Sequence, residues 1–400
     1  MLPESVLADL DRRLAASDAA RAARYPGEPA RRQPVHTVYV PADRVRPGLA
    51  ASWGAEALAA LDRDTDGLAA VTGLDPGVLP RVRAKLAREP VEDLRVDAED
   101  GYRGGDEDAD VLTAAEAVGA DLVAGAAPPF LGIRAKSLEP ATRRRGVRSL
   151  DLFLGTLAPA RPAEVLVTLP KVTDTDQVRA MVALLAALED AHGLPLALEL
   201  QVETPQAVLG PGGAATAAAM VHAAAGRCRG LHFGTYDYSA ALGVAAAYQA
   251  SDHPVADHAK AVMQVAVAGT GARAVDGSSN VLPVGDRAAV RAAWRRHAGL
   301  VTRALGTGLY QGWDLHPAQL PTRYLATYTF FRGALPAALD RLAAYRSGLA
   351  GGVLDEPATA RALAGMLVRA LDCGAADEPE VLGPLGVDRA ELNRLAGRSG

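Results

Sequence analysis

The sequence is poor in cysteine, in aromatic residues and in positive charge, and each shortage excludes a class of protein. Only two of the 400 residues are cysteines, Cys228 and Cys373, and no Cys-x-x-Cys motif occurs. This excludes a disulfide framework and a structural zinc site and predicts a reducing compartment, the cytoplasm. Aromatic residues make up 4% and the formal net charge is −5. An aromatic stacking platform is therefore excluded, and there is no electrostatic reason to bind nucleic acid.

Three further features are missing. No run of about 18 apolar residues occurs, so we expect no segment that spans a membrane. Residues 1–30 are rich in Asp, Glu and Arg and lack the apolar core of a signal peptide. No Gly-x-Gly-x-x-Gly motif follows a strand-like segment, which disfavours a doubly wound nucleotide-binding sheet.

Strand-like and helix-like segments alternate along most of the chain. Hydrophobic residues make up 49% of the sequence, and their periodicity separates the two kinds of segment. The expected strands are 35–40, 94–98, 130–135, 165–169, 196–202, 231–235, 272–276 and 309–312. Eight strand–helix units over roughly 290 residues are typical of a TIM-type (β/α)8 barrel, with a doubly wound open sheet as the alternative.

The two ends of the chain lie outside this alternation. Residues 1–34 are expected to form an N-terminal helical arm, residues 35–335 the catalytic barrel, and residues 336–400 a strandless helical extension. The extension is a candidate lid or a contact between subunits. The predicted fold is therefore an α/β TIM barrel with a helical addition at each end.

Two carboxylates follow successive expected strands, where catalytic residues of such a barrel lie. Glu203 ends the segment VETP, and Asp237 lies in FGTYDYS. Carboxylates, with water and substrate oxygens, are what Mg²⁺ prefers, so the pair predicts a Mg²⁺ or Mn²⁺ site. A solvent-facing strand end and a helix cap are the structural alternatives. Gly234, Thr235 and Tyr236 are expected to bind substrate, with Gly234 keeping the backbone slim beside it.

Cations and acids follow the other expected strands. Arg134 and Lys136 share one face by strand alternation and are expected to bind a substrate carboxylate, with a surface ion pair as the alternative. Lys171, in LPKV, is assigned an electrostatic role in preference to a Schiff base. Asp97, Glu99 and Asp100, the acidic end of the second expected strand, either orient a metal-bound water or act as a base, or they pair with Arg134, Lys136 or Lys171 structurally.

Seven segments between Thr37 and Gln319 carry a family resemblance. In chain order they are VYVPADR, VDAEDGY, GIRAK, LPKV, VETP, FGTYDYSAALG and DLHPAQ. This ordered set resembles the HpcH/HpaI aldolase and citrate lyase beta-subunit superfamily, with its phosphoenolpyruvate/pyruvate-type barrel. The resemblance implies that Glu203 and Asp237 bind Mg²⁺ or another divalent ion. It also implies that Arg134 binds the carboxylate or enolate of the substrate, and that the protein is a homo-oligomer.

Two positions depart from the family pattern and leave the substrate open. The pyruvate aldolases of the superfamily have a Glu-His pair after the second strand, where this chain has Glu99 and Asp100. The chain is in this respect closer to the citrate-lyase-like branch. That branch often has Asn shortly after the third-strand arginine, where this chain has Lys136.

The sequence thus predicts a metal-dependent carbon–carbon lyase or aldolase, of citrate lyase or malyl-CoA lyase type. Its substrate would be a 2-oxo acid, a hydroxy acid or an acyl-CoA thioester, with an enolate stabilised by the metal as a Lewis acid. Two alternatives remain: a malate-synthase-like condensing enzyme, and a non-catalytic or partner-dependent citrate-lyase-like subunit. The arginines at 143–145 are either solvated surface or a contact for a coenzyme A phosphate.

Overall fold

A computed structural model describes residues 2–347 and 356–399 of the chain. Its strands are β1 Glu28–Pro29, β2 His36–Pro41, β3 Asp93–Asp97, β4 Phe130–Arg134, β5 Val165–Leu169, β6 Leu196–Val202, β7 Cys228–Phe233, β8 Arg273–Val275, β9 Gly312–Asp314 and β10 Arg398–Ser399. Strands β2 to β9 form one parallel sheet in the order β8-β7-β6-β5-β4-β3-β2-β9. Because β9 pairs with β2, the sheet curls into a nearly closed TIM-type barrel, as predicted.

The two edges of this sheet meet without a full strand pairing. The N–H of Asp276, just after β8, donates to the carbonyl of Gln311, just before β9, at 2.9 Å. This one backbone hydrogen bond lies between the edges, so the carboxyl ends of all eight strands surround one rim.

Helices follow most of the barrel strands and cover the outside. They are α1 Glu4–Arg24, α2 Leu49–Arg63, α3 Thr65–Thr72, α4 Leu79–Arg88, α5 Glu107–Val123, α6 Arg143–Leu157, α7 Thr175–His192, α8 Pro205–Val208, α9 Thr216–Ala223, α10 Thr235–Ala241, α11 Pro254–Val267, α12 Arg287–Gly306, α13 Leu320–Ser347, α14 Pro357–Cys373, α15 Glu378–Leu385 and α16 Arg389–Leu395. Within the described ranges, none of these helices has the length and apolar character that crossing a membrane requires.

Both faces of the barrel strands are buried, but they differ in chemistry. Along β6, Leu198 and Leu200 pack in the hydrophobic core, while Glu199 between them is also buried. Glu199 accepts hydrogen bonds from Arg95 of β3 at 3.0 and 2.6 Å, and Arg95 also pairs with Asp93. Since β3 and β6 are not neighbours in the sheet, these side chains meet inside the barrel. The barrel interior therefore contains ion-paired side chains in addition to the branched apolar side chains that usually fill it.

The last barrel strand is β9, at Gly312–Asp314, and not 309–312 as predicted. Leu309 is still part of the turn that ends α12, because its N–H donates to the carbonyl of Ala304 at 2.9 Å. A buried apolar residue at the end of a helix therefore gave the same sequence signal as the first residue of a strand.

The C-terminal extension differs from its prediction in two respects. It is not strandless, because β10 pairs in parallel with β1 near the start of the chain. A two-residue strand is too short to leave a periodic pattern. Helix α13 also runs through the boundary drawn between 335 and 336, and Leu335 and Ala338 on either side of Pro336 are both buried.

The division into arm, barrel and extension stays a prediction. Helix α1 fits the predicted arm, since none of its residues is buried. Met1 of the arm, and residues 348–355 and 400 of the extension, lie outside the described residues.

Candidate active site

Glu203 follows β6 directly and is buried at the C-terminal rim of the barrel, 1% exposed. Its Oε1 accepts a hydrogen bond from the backbone N–H of Lys171 at 2.7 Å, and its Oε2 accepts one from the amide of Gln201. The burial excludes the solvent-facing alternative. Gly234 lies against this carboxylate, because a Cβ there would overlap the Glu203 side chain. The absence of a side chain at Gly234 thus leaves room for the side chain of Glu203.

Lys171 contacts four of the rim carboxylates, one through its backbone N–H and three through its ammonium. Its ammonium lies 2.7 Å from Glu99 Oε1, 2.7 Å from Asp100 Oδ2 and 3.9 Å from Asp237 Oδ2. Its backbone has φ 52°, a left-handed conformation that is uncommon for a residue with a side chain. This conformation lets the N–H point at Glu203 while the side chain reaches the other three acids.

Asp237 lies in the first turn of α10 and not at the end of a strand. Strand β7 ends at Phe233, and Gly234 precedes the first helical residue. The side chain of Asp237 is 49% exposed and makes no capping hydrogen bond, so the helix-cap alternative does not hold. The ammonium of Lys171 is 3.9 Å from this carboxylate, so the carboxylate stays largely open to solvent.

Negative charge is in surplus at this rim. Burial raises the pKa of Glu203 to about 7, and the charges of Asp237 and Glu99 add to the effect against Lys171 and Arg134. Burial alone would lower the pKa of the Lys171 ammonium, but the surrounding carboxylates outweigh it and raise that pKa. Burial is the main cause of the shift at Glu203, whereas the neighbouring carboxylates cause the shift at Lys171.

Arg134 is buried and already holds a carboxylate. Its Nε and Nη2 donate to the two oxygens of Asp97 at 2.8 and 2.7 Å. Its third nitrogen, Nη1, donates to Gln201 Oε1 at 3.2 Å and lies 3.6 Å from Glu99 Oε2. Asp97 therefore occupies the bidentate edge of the Arg134 guanidinium, which was expected to bind a substrate carboxylate. Only Nη1 faces the rim, and a role in substrate binding stays a prediction.

A chain of hydrogen bonds connects Arg134 to Glu203. The guanidinium donates to Oε1 of the Gln201 side chain, and Nε2 of the same side-chain amide donates to Glu203. The arginine thereby fixes which way the amide points and so holds the carboxylate in place. Asp97 pairs with Arg134 as the structural alternative for the acidic end of the second strand predicted. Sequence reasoning missed Gln201 as a member of the site, although the signal was available, since Gln201 shares strand parity with Glu203.

The structure does not bring Lys136 to the other candidates. Strand β4 ends at Arg134, so strand alternation no longer applies two residues later. The ammonium of Lys136 instead donates to Glu107 on α5 at 2.7 Å and to the carbonyl of Ala98 at 2.8 Å. Arg145, one of the three adjacent arginines, joins the same surface cluster at 3.2 Å from Glu107.

Thr235 and Tyr236 hold the loop that follows β8. The Thr235 and Tyr236 hydroxyls both lie 3.5 Å from the carbonyl of Ser278, and the Tyr236 hydroxyl accepts the N–H of Asn280 at 2.6 Å. The loop is thereby held against the start of α10, beside Asp237. Contact of these two residues with a substrate stays a prediction.

Comparisons with known proteins agree on the fold. A family model described as a domain of unknown function, DUF6986, matches residues 14–399. No curated protein matches the chain. A citrate lyase from Burkholderia xenovorans LB400 is similar, with a TM-score of 0.58 at 21% identity, over 88% of this chain and 96% of that one. A malate synthase of Haloferax volcanii, crystallised at 3 mM glyoxylate, has a TM-score of 0.50 at 15% identity, over 93% and 100%.

A third similar structure holds ligands. It is CitE from Mycobacterium tuberculosis in complex with magnesium, acetoacetate and coenzyme A, with a TM-score of 0.49 at 18% identity, over 87% of this chain and 98% of that one. The two likenesses above it in TM-score show that this chain shares the barrel fold of those proteins.

Proposed function

The chain belongs to the family described as a domain of unknown function, DUF6986, and we propose that it is a divalent-metal-dependent carbon–carbon lyase or aldolase. The observation that carries this proposal is the surplus of carboxylates at the C-terminal rim of a barrel. Glu203 is buried there, and burial together with Asp237 and Glu99 raises its pKa to about 7 despite Lys171 and Arg134. Rims of such barrels are where their catalytic residues lie.

The residues at the rim fit a divalent cation by charge and by ligand type. Among the described residues, no group of three or more His, Cys, Asp or Glu side chains is arranged to hold a metal. Glu203 and Asp237 would therefore supply two carboxylate ligands, with water and substrate oxygens as the rest, a mixture that Mg²⁺ and Mn²⁺ accept. A divalent cation there would supply Lewis-acid stabilisation of an enolate oxygen.

The protein residues would position the substrate and move the proton. Nη1 of Arg134 is the guanidinium nitrogen that faces the rim, so it would donate to a substrate carboxylate. Glu99 is the better candidate than Asp100 for proton transfer, because burial raises the pKa of Glu99. Lys171 lowers the pKa of Asp100 against the effect of burial. A carboxyl group that titrates closer to neutrality is the more effective acid–base catalyst.

Metal binding is the first test. We expect Mn²⁺ or Mg²⁺ titrated into the full chain in a calorimeter to bind saturably. Affinity should fall at least about tenfold, or 1.4 kcal/mol, in Glu203→Gln and in Asp237→Asn. Asp108→Asn is the matched control, since Asp108 pairs with Arg145 and Arg148 on the outer surface. Unchanged affinity in both rim variants would remove the basis of the proposal.

Turnover and its direction form the second test. Cleavage of a panel of hydroxy acids and hydroxyacyl-CoA thioesters should require the metal and should be abolished by EDTA. Condensation of glyoxylate with acetyl-CoA as the favoured direction would instead identify a malate-synthase-like enzyme. Full activity after chelation would exclude both forms.

Dependence on partners is the remaining alternative. We propose a homo-oligomer, and light scattering on the purified chain would measure its mass. A chain that binds Mg²⁺ tightly but turns over no member of the panel would indicate a citrate-lyase-like subunit that needs partners.

A further inference from the structure

A cluster of arginines lies at the opposite, N-terminal end of the barrel. Arg273 begins β8, Arg369 lies on α14, and Arg398 lies on β10, so three distant segments meet there. All three contact Glu28 of β1, with nitrogen–oxygen distances of 3.0, 3.0 and 3.6 Å. These side chains are 12%, 15% and 0% exposed, whereas Glu28 is 42% exposed. Three largely buried guanidiniums therefore share one partly exposed carboxylate.

The charges of the cluster do not balance. A second carboxylate, Asp372, pairs with Arg398 at 2.9 Å and also with Arg389. Among the described residues, four guanidiniums thus share two carboxylates, and two positive charges are unpaired. Burial, together with the charges of Arg369 and Arg398, lowers the pKa of Arg273 to about 10 despite Glu28.

Within the part of the chain that the structure describes, several buried donor atoms of these arginines have no hydrogen-bond acceptor. They are Nη2 of Arg273, Nε of Arg369, and Nε and Nη2 of Arg398. Buried N–H groups are almost always hydrogen-bonded, so each exception calls for a missing partner. The guanidinium of Arg369 is otherwise held 4.5 Å over the ring of Tyr310, which orients it but accepts no hydrogen bond.

A cavity of about 180 Å³ adjoins the cluster and is lined by Glu28, Arg273, Arg369 and Tyr310. A water molecule occupies about 30 Å³ in the liquid, so the space suits a small molecule of several heavy atoms. Water there would satisfy donors but would leave the positive charge. An oxyanion would do both, because guanidinium groups match the geometry of phosphate and carboxylate.

We propose that this cavity is a binding site for a small dianionic oxyanion, a phosphate or dicarboxylate group, held by Arg273 and Arg369 with Arg398 behind them. The site is at the end of the barrel opposite the rim carboxylates. Its ligand is therefore an effector or a structural anion and not the substrate that meets Glu203. The proposal does not depend on the function assigned to the rim.

The test is calorimetry of the full chain with inorganic phosphate, in EDTA and at an ionic strength held constant with NaCl. We expect saturable binding that falls at least about tenfold in Arg369→Gln. Arg303→Gln is the control, since Arg303 pairs with Asp257 on the exposed surface. Glu28→Gln should bind phosphate more tightly than the unaltered chain, because it removes a competing negative charge. A purely structural role for the arginines predicts no such gain.

A second titration with malonate separates the two ligand classes. Binding of phosphate alone assigns a phosphoryl group, binding of malonate alone assigns a carboxylate, and binding of both assigns a general oxyanion site. Each of these results supports the proposal if Arg369→Gln removes the binding. No saturable heat beyond the chloride control, or equal binding to Arg369→Gln, would overturn it.

Discussion

The two ends of the barrel carry excess charge of opposite sign, while the charged side chains of the interior between them contact one another directly. At the C-terminal rim, the ammonium of Lys171 lies among the carboxylates of Glu99, Asp100 and Asp237, and the backbone N–H of Lys171 donates to Glu203. At the N-terminal end, three guanidiniums share Glu28. Between them, Arg95 has no exposed surface and is paired with both Asp93 and Glu199. The comparison teaches that the buried interior charges find hydrogen-bonded partners within the protein, whereas each end of the barrel leaves charge of one sign in excess beside solvent.

Removing the paired cation of the interior should have the largest effect on stability. Arg95→Met leaves Asp93 and Glu199 buried without their partner, so we expect a loss of about 3–5 kcal/mol in the free energy of unfolding. Urea denaturation followed by circular dichroism measures it. The control Arg303→Met breaks an exposed pair and should cost at most about 1 kcal/mol. Equal losses in the two variants would show that the interior charges are no more important than surface ones.

Crowding the rim should have the next largest effect. In Gly234→Ala the new methyl group overlaps the side chain of Glu203, and we expect a loss of about 1–3 kcal/mol. Weaker binding of Mn²⁺ should accompany it, because Glu203 must move. The control Gly299→Ala lies on α12 with no atom near the added methyl. It should gain about 0.5–1 kcal/mol from helix propensity. An unchanged cation affinity in Gly234→Ala would argue against Glu203 as a ligand.

Removing the one ammonium of the rim should make the protein depend on a divalent cation. In Lys171→Met, Glu99 and Asp100 lose their hydrogen-bonding partner, and we expect a loss of about 1–3 kcal/mol in EDTA. Mg²⁺ should raise the melting temperature of this variant more than that of the unaltered chain, since it no longer competes with the ammonium. The matched control is Lys136→Met, whose partner Glu107 retains Arg145. A similar response to Mg²⁺ in both variants would contradict the comparison.

The smallest effect on stability is expected at the exposed edge of the rim. Asp237 is 49% exposed and makes no short ion pair. Asp237→Asn should therefore change the free energy of unfolding by no more than about 0.5 kcal/mol, measured by urea denaturation. A large loss would identify Asp237 as a structural residue and would leave the rim with one candidate ligand.

Much of the site followed from strand-end reasoning on the sequence. Glu99, Asp100, Lys171, Glu203 and Asp237 were each predicted there, and the structure brings these five residues together. Their placement was predictable because parallel strands of a barrel end at the same rim. Their catalytic and metal-binding roles stay predictions.

One detail of the same site could not be predicted, which is that Lys136 pairs with Glu107 on a helix. The pairing of Arg134 with Asp97 was one of two alternatives that the sequence left open. The choice of ion-pair partner depends on which oppositely charged group lies within reach, and strand parity does not contain that distance.

By itself, the sequence determined the barrel and the faces of its strands. Side chains along a strand alternate every two residues, so Glu199, Gln201 and Glu203 had to share one face whatever surrounded them. Only the tertiary structure decided that Lys171 would contact four carboxylates, and that Arg398 would contact Glu28, which lies near the other end of the chain. Periodicity is a local property of the backbone, whereas charge balance depends on neighbours brought together from distant segments by folding.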